Sequence, residues 1–274
     1  MSSARDIRLL LSDVDGTLVS TDKELSDAAR AAAKALGEAG IALAIVSSRP
    51  PRGMRMLVEP LGLKLPLAGC NGGVLANPDL SVIETRPIDA EAARSIVDFL
   101  LKQGLDVWVY TADAWFVRDP QAPHVAREAW IVKFDATVVA DFAVRQLDHA
   151  IKIVGVSDDY PLVARSEAAA QALLGDMASA TRSAAHFLDV TNPKANKGVV
   201  VETLAKRLSI SPAEVATIGD MPNDVLMFHA SGFSIAMGNA SDEVKAQARA
   251  VTDSNENDGF ASAIRKFILP AVAG

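Results

Sequence analysis

Strand-like and helix-like segments alternate from Ile7 to about Leu75, and this order constrains the fold more than any other feature of the chain. An apolar run at 7–13 is followed by an alanine-rich amphipathic stretch at 26–39 and a second apolar run at 41–46. Ser26 is a typical N-cap residue, and Gly40 is typical of the position just beyond a helix C-terminus. Apolar strands joined by helices predict a parallel sheet that is covered on both faces.

The pattern changes at about Ile83. All Trp and Tyr residues lie between Ile83 and Asp189, where short alternating runs at 107–110 and 151–154 indicate strands of a half-exposed sheet. After Asp189 the strand and helix alternation returns, with a helix predicted from about 198 to 208. Two further helices are predicted inside the insert, at about 89–103 and 161–174.

These segments predict an α/β fold with a Rossmann-like parallel-sheet core and an inserted α+β cap domain. The core is discontinuous in sequence and consists of residues 1–83 and 190–274, whereas residues 84–189 form the cap. Because the core strands fall in two separate parts of the chain, residues far apart in sequence are expected to share one sheet.

The composition is that of a soluble globular protein, with 50% hydrophobic and 22% charged residues and no apolar run near the length of a membrane helix. A net charge of -7 argues against nucleic acid as a partner, and no membrane partner is expected. The start Met1–Asp6 shows no apolar signal core, and the single Cys70 excludes an internal disulfide. We therefore expect a cytoplasmic protein; the oligomeric state is left open.

Polar clusters follow the predicted strands of the core. Asp13 and Asp15 end the first strand, and their spacing places both side chains on one side of an extended backbone before the bend that Gly16 permits. Asp and Gly are also common in surface turns and metal-binding loops, so this cluster alone leaves those interpretations open. Three more clusters occur in the core segments: Ser47-Ser48-Arg49, Asn196-Lys197-Gly198 and Gly219-Asp220-Met221-Pro222-Asn223-Asp224.

The positions of these clusters predict a common site, because ligands of open parallel sheets bind beyond the carboxyl ends of the strands. Hard oxygen donors suit Mg²⁺, and Asp13, Asp220 and Asp224 are the candidate ligands. The hydroxyl of Ser47 and nearby backbone N–H groups can hold a phosphate oxygen. A carboxylate at the end of a buried strand can also act as a nucleophile.

With these residues identified, the chain resembles the Cof-type phosphatases of the haloacid dehalogenase superfamily, which carry a large α/β cap between their second and third motifs. Asp13-Val14-Asp15-Gly16-Thr17 resembles the first motif, and Ser47, Lys197 and residues 219–224 resemble the other three. One departure is Ser48, since relatives commonly have Thr-Gly-Arg where this chain has Ser47-Ser48-Arg49. Other similar segments are Cys70-Asn71-Gly72-Gly73, 236–240, 244–245 and 257–260.

The resemblance implies a Mg²⁺-dependent phosphatase that hydrolyses small phosphorylated metabolites, with sugar phosphates as the leading class, through an aspartyl-phosphate intermediate. It implies that Asp13 is the nucleophile, that Asp15 is the general acid and base, and that Lys197 is a third catalytic residue. Metal ligands would be Asp13, Asp15 through its backbone carbonyl, Asp220 and Asp224. Substrate or phosphate contacts would come from Ser47, Arg49, Asn71, Gly72 and Asn223.

Two other functions share parts of this pattern. A phosphomutase would form the same aspartyl-phosphate but return the phosphoryl group to a sugar hydroxyl. A non-enzymatic phospho-switch would use the phosphorylated aspartate to change partner binding; such receiver proteins are small and uncapped, so the inserted cap argues against this function. The physiological substrate, the cap residues that determine specificity and the effect of Ser48 on the phosphate loop are left open.

Overall fold

The structure is a computed structural model that describes residues 7–269. The start Met1–Asp6, on which the expectation of no leader depended, lies outside the described residues, as do residues 270–274. The strands are β1 (Leu9–Asp13), β2 (Ala42–Val46), β3 (Leu67–Gly69), β4 (Val74–Ala76), β5 (Val82–Thr85), β6 (Asp106–Tyr110), β7 (Trp115–Val117), β8 (Thr137–Val138), β9 (Lys152–Val156), β10 (Ser179–Ala184), β11 (Phe187–Thr191), β12 (Val215–Gly219), β13 (Phe233–Ala236) and β14 (Ala250–Val251).

The helices lie between these strands and include those predicted at 26–39, 89–103, 161–174 and 198–208. They are α1 (Asp27–Glu38), α2 (Arg55–Val58), α3 (Ala90–Lys102), α4 (Val125–Val132), α5 (Val144–Asp148), α6 (Tyr160–Leu174), α7 (Lys197–Leu208), α8 (Val225–Ala230), α9 (Asp242–Lys245) and α10 (Gly259–Ala263). Ser26 caps α1 as predicted, because its side chain accepts a hydrogen bond from the backbone N–H of Ala29. Among the described residues, no helix is both long enough and apolar enough to cross a membrane.

The core sheet has eight strands in the order β14-β13-β12-β1-β2-β3-β4-β5. Pairing is parallel from β14 to β3 and antiparallel from β3 to β5. Successive residues of β1 face opposite sides of this sheet: Leu10 packs in the apolar cluster with α1 and α10, whereas Leu9 and Leu11 pack in the cluster with α7. The predicted α/β fold, with a parallel sheet covered on both faces, is confirmed.

The insert forms a separate sheet in the order β10-β11-β9-β6-β7-β8. One face packs on α3 and α6, and the other carries an aromatic cluster in which Trp108 and Trp115 are buried. The predicted boundaries at 83/84 and 189/190 fall inside strands, since β5 belongs to the core sheet and β11 to the cap sheet. The two-domain division stays a prediction, and the sheets favour boundaries after Thr85 and Thr191.

Candidate active site

Three of the four polar clusters predicted from the sequence meet at the carboxyl ends of three adjacent core strands, whereas the fourth, Asn196-Lys197-Gly198, lies at the start of α7 after the cap strand β11. Asp13 ends β1, Asp220 follows β12, and Ser47 follows β2 on the other side of β1. A cavity of about 390 Å³ opens at this edge, between the core and the cap strand β10. Its lining includes the predicted site residues Asp13, Asp15, Asn71, Lys197, Asp220 and Asn223.

Lys197 joins two of the carboxylates. Its ammonium lies 2.6 Å from Oδ1 of Asp13 and 2.5 Å from Oδ1 of Asp224, and the Lys197 side chain is only 2% exposed. A cation in the first turn of α7 is unfavourable to the helix dipole, and burial also works against it. The two carboxylates outweigh the burial and raise the pKa of Lys197 above its ordinary value, so the lysine stays charged.

Three carboxylates surround this single ammonium. Asp13, Asp220 and Asp224 are buried, and each offers an oxygen within 4.8 Å of the others. Burial, together with the neighbouring carboxylates, raises the pKa of Asp13 well above its usual value and that of Asp220 to about 6. Ionising all three carboxylates is therefore unfavourable with Lys197 as their neighbouring cation, and either a proton or a further cation would relieve the repulsion.

Asp15 points to a different set of partners. Its carboxylate accepts hydrogen bonds from Nε and Nη2 of Arg49, at 2.7 and 2.6 Å, and lies 2.7 Å from the ammonium of Lys23. Burial alone would raise the pKa of Asp15, but the two cations outweigh it and lower the pKa to about 2. Sequence reasoning missed Lys23, which lies in the loop after β1 outside any motif.

Arg49 also links the core to the cap. Its Nη1 donates to the backbone carbonyl of Ile131 in α4 at 2.8 Å and to that of Gly53 at 3.2 Å. Arg49 was predicted to contact the substrate, and in this structure its guanidinium is instead shared between Asp15 and the cap. The predicted substrate role therefore requires this arginine to change partners.

The remaining predicted phosphate-binding residues differ in their surroundings. Nδ2 of Asn223 donates to Oδ1 of Asn71 at 3.1 Å, and Oδ1 of Asn223 is buried with no hydrogen-bond partner among residues 7–269. Oγ of Ser47 accepts from the backbone N–H of Arg49 at 3.1 Å, which leaves its hydroxyl hydrogen free to donate. The carbonyl of Gly72 accepts from Arg86, and its φ of +99° together with Val200 near its Cβ position favours glycine here.

Two further residues hold Asp220 in place. Oγ1 of Thr17 donates to its Oδ1 at 2.9 Å, while Nδ2 of Asn239 donates to its Oδ2 at 3.3 Å and to the carbonyl of Gly16 at 2.9 Å. Both residues lie in segments that resemble the superfamily, but the sequence assigned no function to either. Their contacts tie the loop after β1 to the loop after β12.

Gly16 allows these two loops to approach each other. Its φ is +77°, and a Cβ at this position would overlap the carboxylate of Asp220. Gly40 has nearly the same φ, +76°, but has no other atom within 4 Å of its Cβ position.

We expect Gly40→Ala to lower the free energy of unfolding by about 1–2 kcal/mol, and Gly16→Ala to lower it by about 1–3 kcal/mol more because of the overlap. Urea unfolding measures both, and equal losses would contradict a close approach at Gly16.

Comparisons with known proteins support the same assignment. A family model described as haloacid dehalogenase-like hydrolase matches residues 10–264. Bacillus subtilis YwtE, named a 5-amino-6-(5-phospho-D-ribitylamino)uracil phosphatase, is 27% identical and is aligned over 93% of this chain and 96% of its own length. Escherichia coli YbhA, named a pyridoxal phosphate phosphatase, is also 27% identical, over 96% of this chain and 99% of its own.

A solved structure shows that the likeness extends to the fold. The crystal structure of a haloacid dehalogenase-like hydrolase from Bacteroides thetaiotaomicron superposes with a TM-score of 0.86 at 26% identity, and the match covers 95% of this chain and 99% of that one. Core and cap are both included at this coverage. The chain therefore belongs to the haloacid dehalogenase-like hydrolases, as its motifs predicted, and is an enzyme of their phosphatase class.

Proposed function

We propose that the protein is a Mg²⁺-dependent phosphatase that hydrolyses small phosphorylated metabolites through an aspartyl-phosphate formed on Asp13. The observation that carries this proposal is the buried contact of Lys197 with Asp13 and Asp224, next to Asp220. The ammonium orients the carboxylate of Asp13 and stays charged, which suits a group that must also bind phosphate oxygens. The curated relatives described above are named for phosphate esters of small metabolites, and we propose sugar phosphates as the leading class.

The oxygen atoms at the site are suited to binding a divalent cation. Asp13 and Asp220 lie within reach of one ion, and the raised pKa of each indicates that ionising both is unfavourable without a further cation. Asp224 fits direct ligation less well, because its Oδ1 pairs with Lys197 and its Oδ2 accepts two backbone N–H groups. We propose Asp13, Asp220 and the backbone carbonyl of Asp15 as ligands, with Asp224 acting as support. A bound Mg²⁺ would neutralise these carboxylates and the phosphate oxygens.

In the proposed reaction the side chains act in two steps, formation of the aspartyl-phosphate and its hydrolysis. An oxygen of Asp13 forms a bond to phosphorus as the bond to the leaving oxygen breaks, and Asp15 gives its proton to that oxygen. Asp15 then takes a proton from the water that attacks phosphorus, while the bond between the Asp13 oxygen and phosphorus breaks, which releases phosphate and restores the carboxylate. Ser47 and Lys197 would hold the phosphoryl oxygens and spread the developing charge.

The acid role of Asp15 requires a change in its contacts. While Arg49 and Lys23 pair with it, its pKa is about 2 and it cannot act as an acid near neutral pH. A phosphate dianion in the cavity competes for the same two cations. We propose that substrate entry draws Arg49 and Lys23 away from Asp15, so that the carboxyl group can take up a proton.

Phosphate release from p-nitrophenyl phosphate and a panel of phosphorylated metabolites tests the proposal. We expect hydrolysis that needs Mg²⁺ and stops when a chelator is added. Hydrolysis that persists after complete chelation would contradict the metal requirement. Conversion of a hexose 1-phosphate into the 6-phosphate without net phosphate release would identify a phosphomutase instead.

Thr17→Val tests the contact that orients Asp220. The change keeps the side-chain shape but removes the hydroxyl that donates to Oδ1 of this proposed ligand. Because groups that orient metal ligands typically contribute 10–100-fold in affinity, we expect Mg²⁺ to bind about 10–100-fold more weakly. Calorimetry and the Mg²⁺ dependence of turnover measure the change. Thr203→Val is the matched control, since that hydroxyl donates to the backbone carbonyl of Val199 within α7, and a normal Mg²⁺ affinity in Thr17→Val would contradict the prediction.

A further inference from the structure

A second cavity continues from the active site into the cap. It has a volume of about 280 Å³ and shares lining residues with the first cavity, including Asp15, Ser48 and Asp189. Asp15 is the residue proposed to protonate the leaving group, so the part of a substrate beyond the scissile bond would occupy this second space. We infer, on the basis of the proposed function, that this cavity selects a neutral leaving alcohol that donates a hydroxyl or amino hydrogen to Asp189.

Asp189 is a buried carboxylate whose Oδ2 forms an ion pair with Lys152 but accepts no hydrogen bond from residues 7–269. The residue is 5% exposed, and its Oδ2 has no hydrogen-bond partner among the described residues. The nearby ammonium of Lys152 is 3.9 Å from Oδ2, too far for a hydrogen bond. Because a buried acceptor without a donor is costly, this oxygen is suited to a donor supplied by a ligand.

Lys152 forms a long ion pair with Asp189 but makes its hydrogen bond to another group. Its ammonium donates to the backbone carbonyl of Ser48 at 3.3 Å and lies 4.5 Å from the centre of the Tyr110 ring. The Tyr110 hydroxyl in turn donates to Glu128 at 2.7 Å. Burial opposes the charge on Lys152, but Asp189 and Glu128 outweigh it and raise its pKa, so the ammonium stays charged.

The charges around the cavity argue for a neutral leaving group. Three cations and three carboxylates line it: Lys23, Arg49, Lys152, Asp15, Glu128 and Asp189. At the cap end, the carboxylates of Glu128 and Asp189 face the single ammonium of Lys152. A second anionic group on the substrate would be buried beside Asp189 and Glu128, where the ammonium of Lys152 is already paired with Asp189, which is unfavourable at low dielectric.

Aromatic residues close one side of the cavity. Trp108 and Tyr110 lie on β6 and are buried, whereas Phe187 lies on β11, on the far side of β9, and is partly exposed. The Phe187 ring can pack against the C–H face of a sugar or the plane of a heterocycle, while the few polar groups determine its orientation. The substrate class is therefore the phosphate monoester of a neutral polyhydroxylated or ring-bearing alcohol.

Matched substrates test the charge requirement. Glucose 6-phosphate and 6-phosphogluconate are similar in size, but the second carries a carboxylate on the leaving group. We expect kcat/KM to be at least about 10-fold higher for glucose 6-phosphate, because the carboxylate would be buried near like charges. Equal or greater kcat/KM for 6-phosphogluconate would overturn the inference.

Asp189→Asn tests the donor requirement, with p-nitrophenyl phosphate as a substrate whose leaving group lacks a hydroxyl or amino hydrogen in this region. We expect the ratio of kcat/KM for glucose 6-phosphate to kcat/KM for p-nitrophenyl phosphate to fall at least about 10-fold, the effect of one hydrogen bond to a buried charge. Asp98→Asn, on the exposed face of α3, is the matched control and should leave the ratio unchanged. An unchanged ratio in Asp189→Asn would overturn the inference while the proposed function stands, whereas a wild-type protein that hydrolyses neither substrate would refute both.

Discussion

Replacing Asp13 by asparagine is expected to lower kcat for p-nitrophenyl phosphate by at least about 10⁴-fold, equivalent to more than about 5 kcal/mol of transition-state stabilisation. The amide has nearly the shape of the carboxylate but cannot attack phosphorus to form an acyl phosphate. The effect should appear in kcat because the bond to phosphorus is formed in the chemical step. Initial rates at saturating substrate and Mg²⁺ measure it.

Two measurements separate this loss of chemistry from a loss of structure. Asp242→Asn changes a fully exposed carboxylate of the core and should keep kcat within about twofold. Circular dichroism should show the same fold for the wild type and for both variants. Asp13→Asn that folds normally and retains appreciable turnover would rule out the covalent mechanism.

Lys197→Met is expected to lower the free energy of unfolding by about 3–5 kcal/mol, because it removes one partner of a buried ionic cluster. Asp13 and Asp224 would remain buried without the ammonium that contacts both. Turnover should also be lost, since the carboxylate of Asp13 would no longer be oriented. Urea unfolding at neutral pH measures the stability, and phosphate release measures the activity.

Two controls accompany Lys197→Met. One changes another lysine of α7, and the other removes the charge of a carboxylate that Lys197 contacts. Lys206→Met changes an exposed lysine of α7 and should alter the free energy of unfolding by less than about 0.5 kcal/mol. Adding Asp224→Asn to Lys197→Met removes one uncompensated charge, so the double variant should recover part of the stability but no activity. A Lys197→Met protein as stable as the wild type would contradict the proposed charge balance.

The sequence predicted the α/β class and the convergence of the central site residues because both depend on local signals. An apolar strand that ends in a carboxylate is visible at Asp13, and a similar pattern recurs at Asp220. One general rule, that ligands lie beyond the carboxyl ends of parallel strands, then brings the two together. The roles of these residues in catalysis stay predictions until the variants are measured.

The exact limits of the insert could not be predicted from the sequence, since hydrogen bonding between strands defines them. The sequence change at Ile83 and Asp189 marks a shift in composition, but strand pairing extends a few residues beyond it. Thus β5 pairs with the core strand β4, and β11 pairs with the cap strands β9 and β10. Local composition carries no information about such pairing.

The sequence by itself determined the type of fold, the motif carboxylates and the lysine that accompanies them. Only the tertiary structure decided that Arg49 and Lys23 neutralise Asp15, and that Asp189 lines the cavity with an oxygen that no described residue hydrogen-bonds. The contact between Lys152 and Ser48 spans 104 residues and joins the cap to the core. Such contacts depend on how one folded sheet packs over another, and no periodicity or motif within either segment encodes that arrangement.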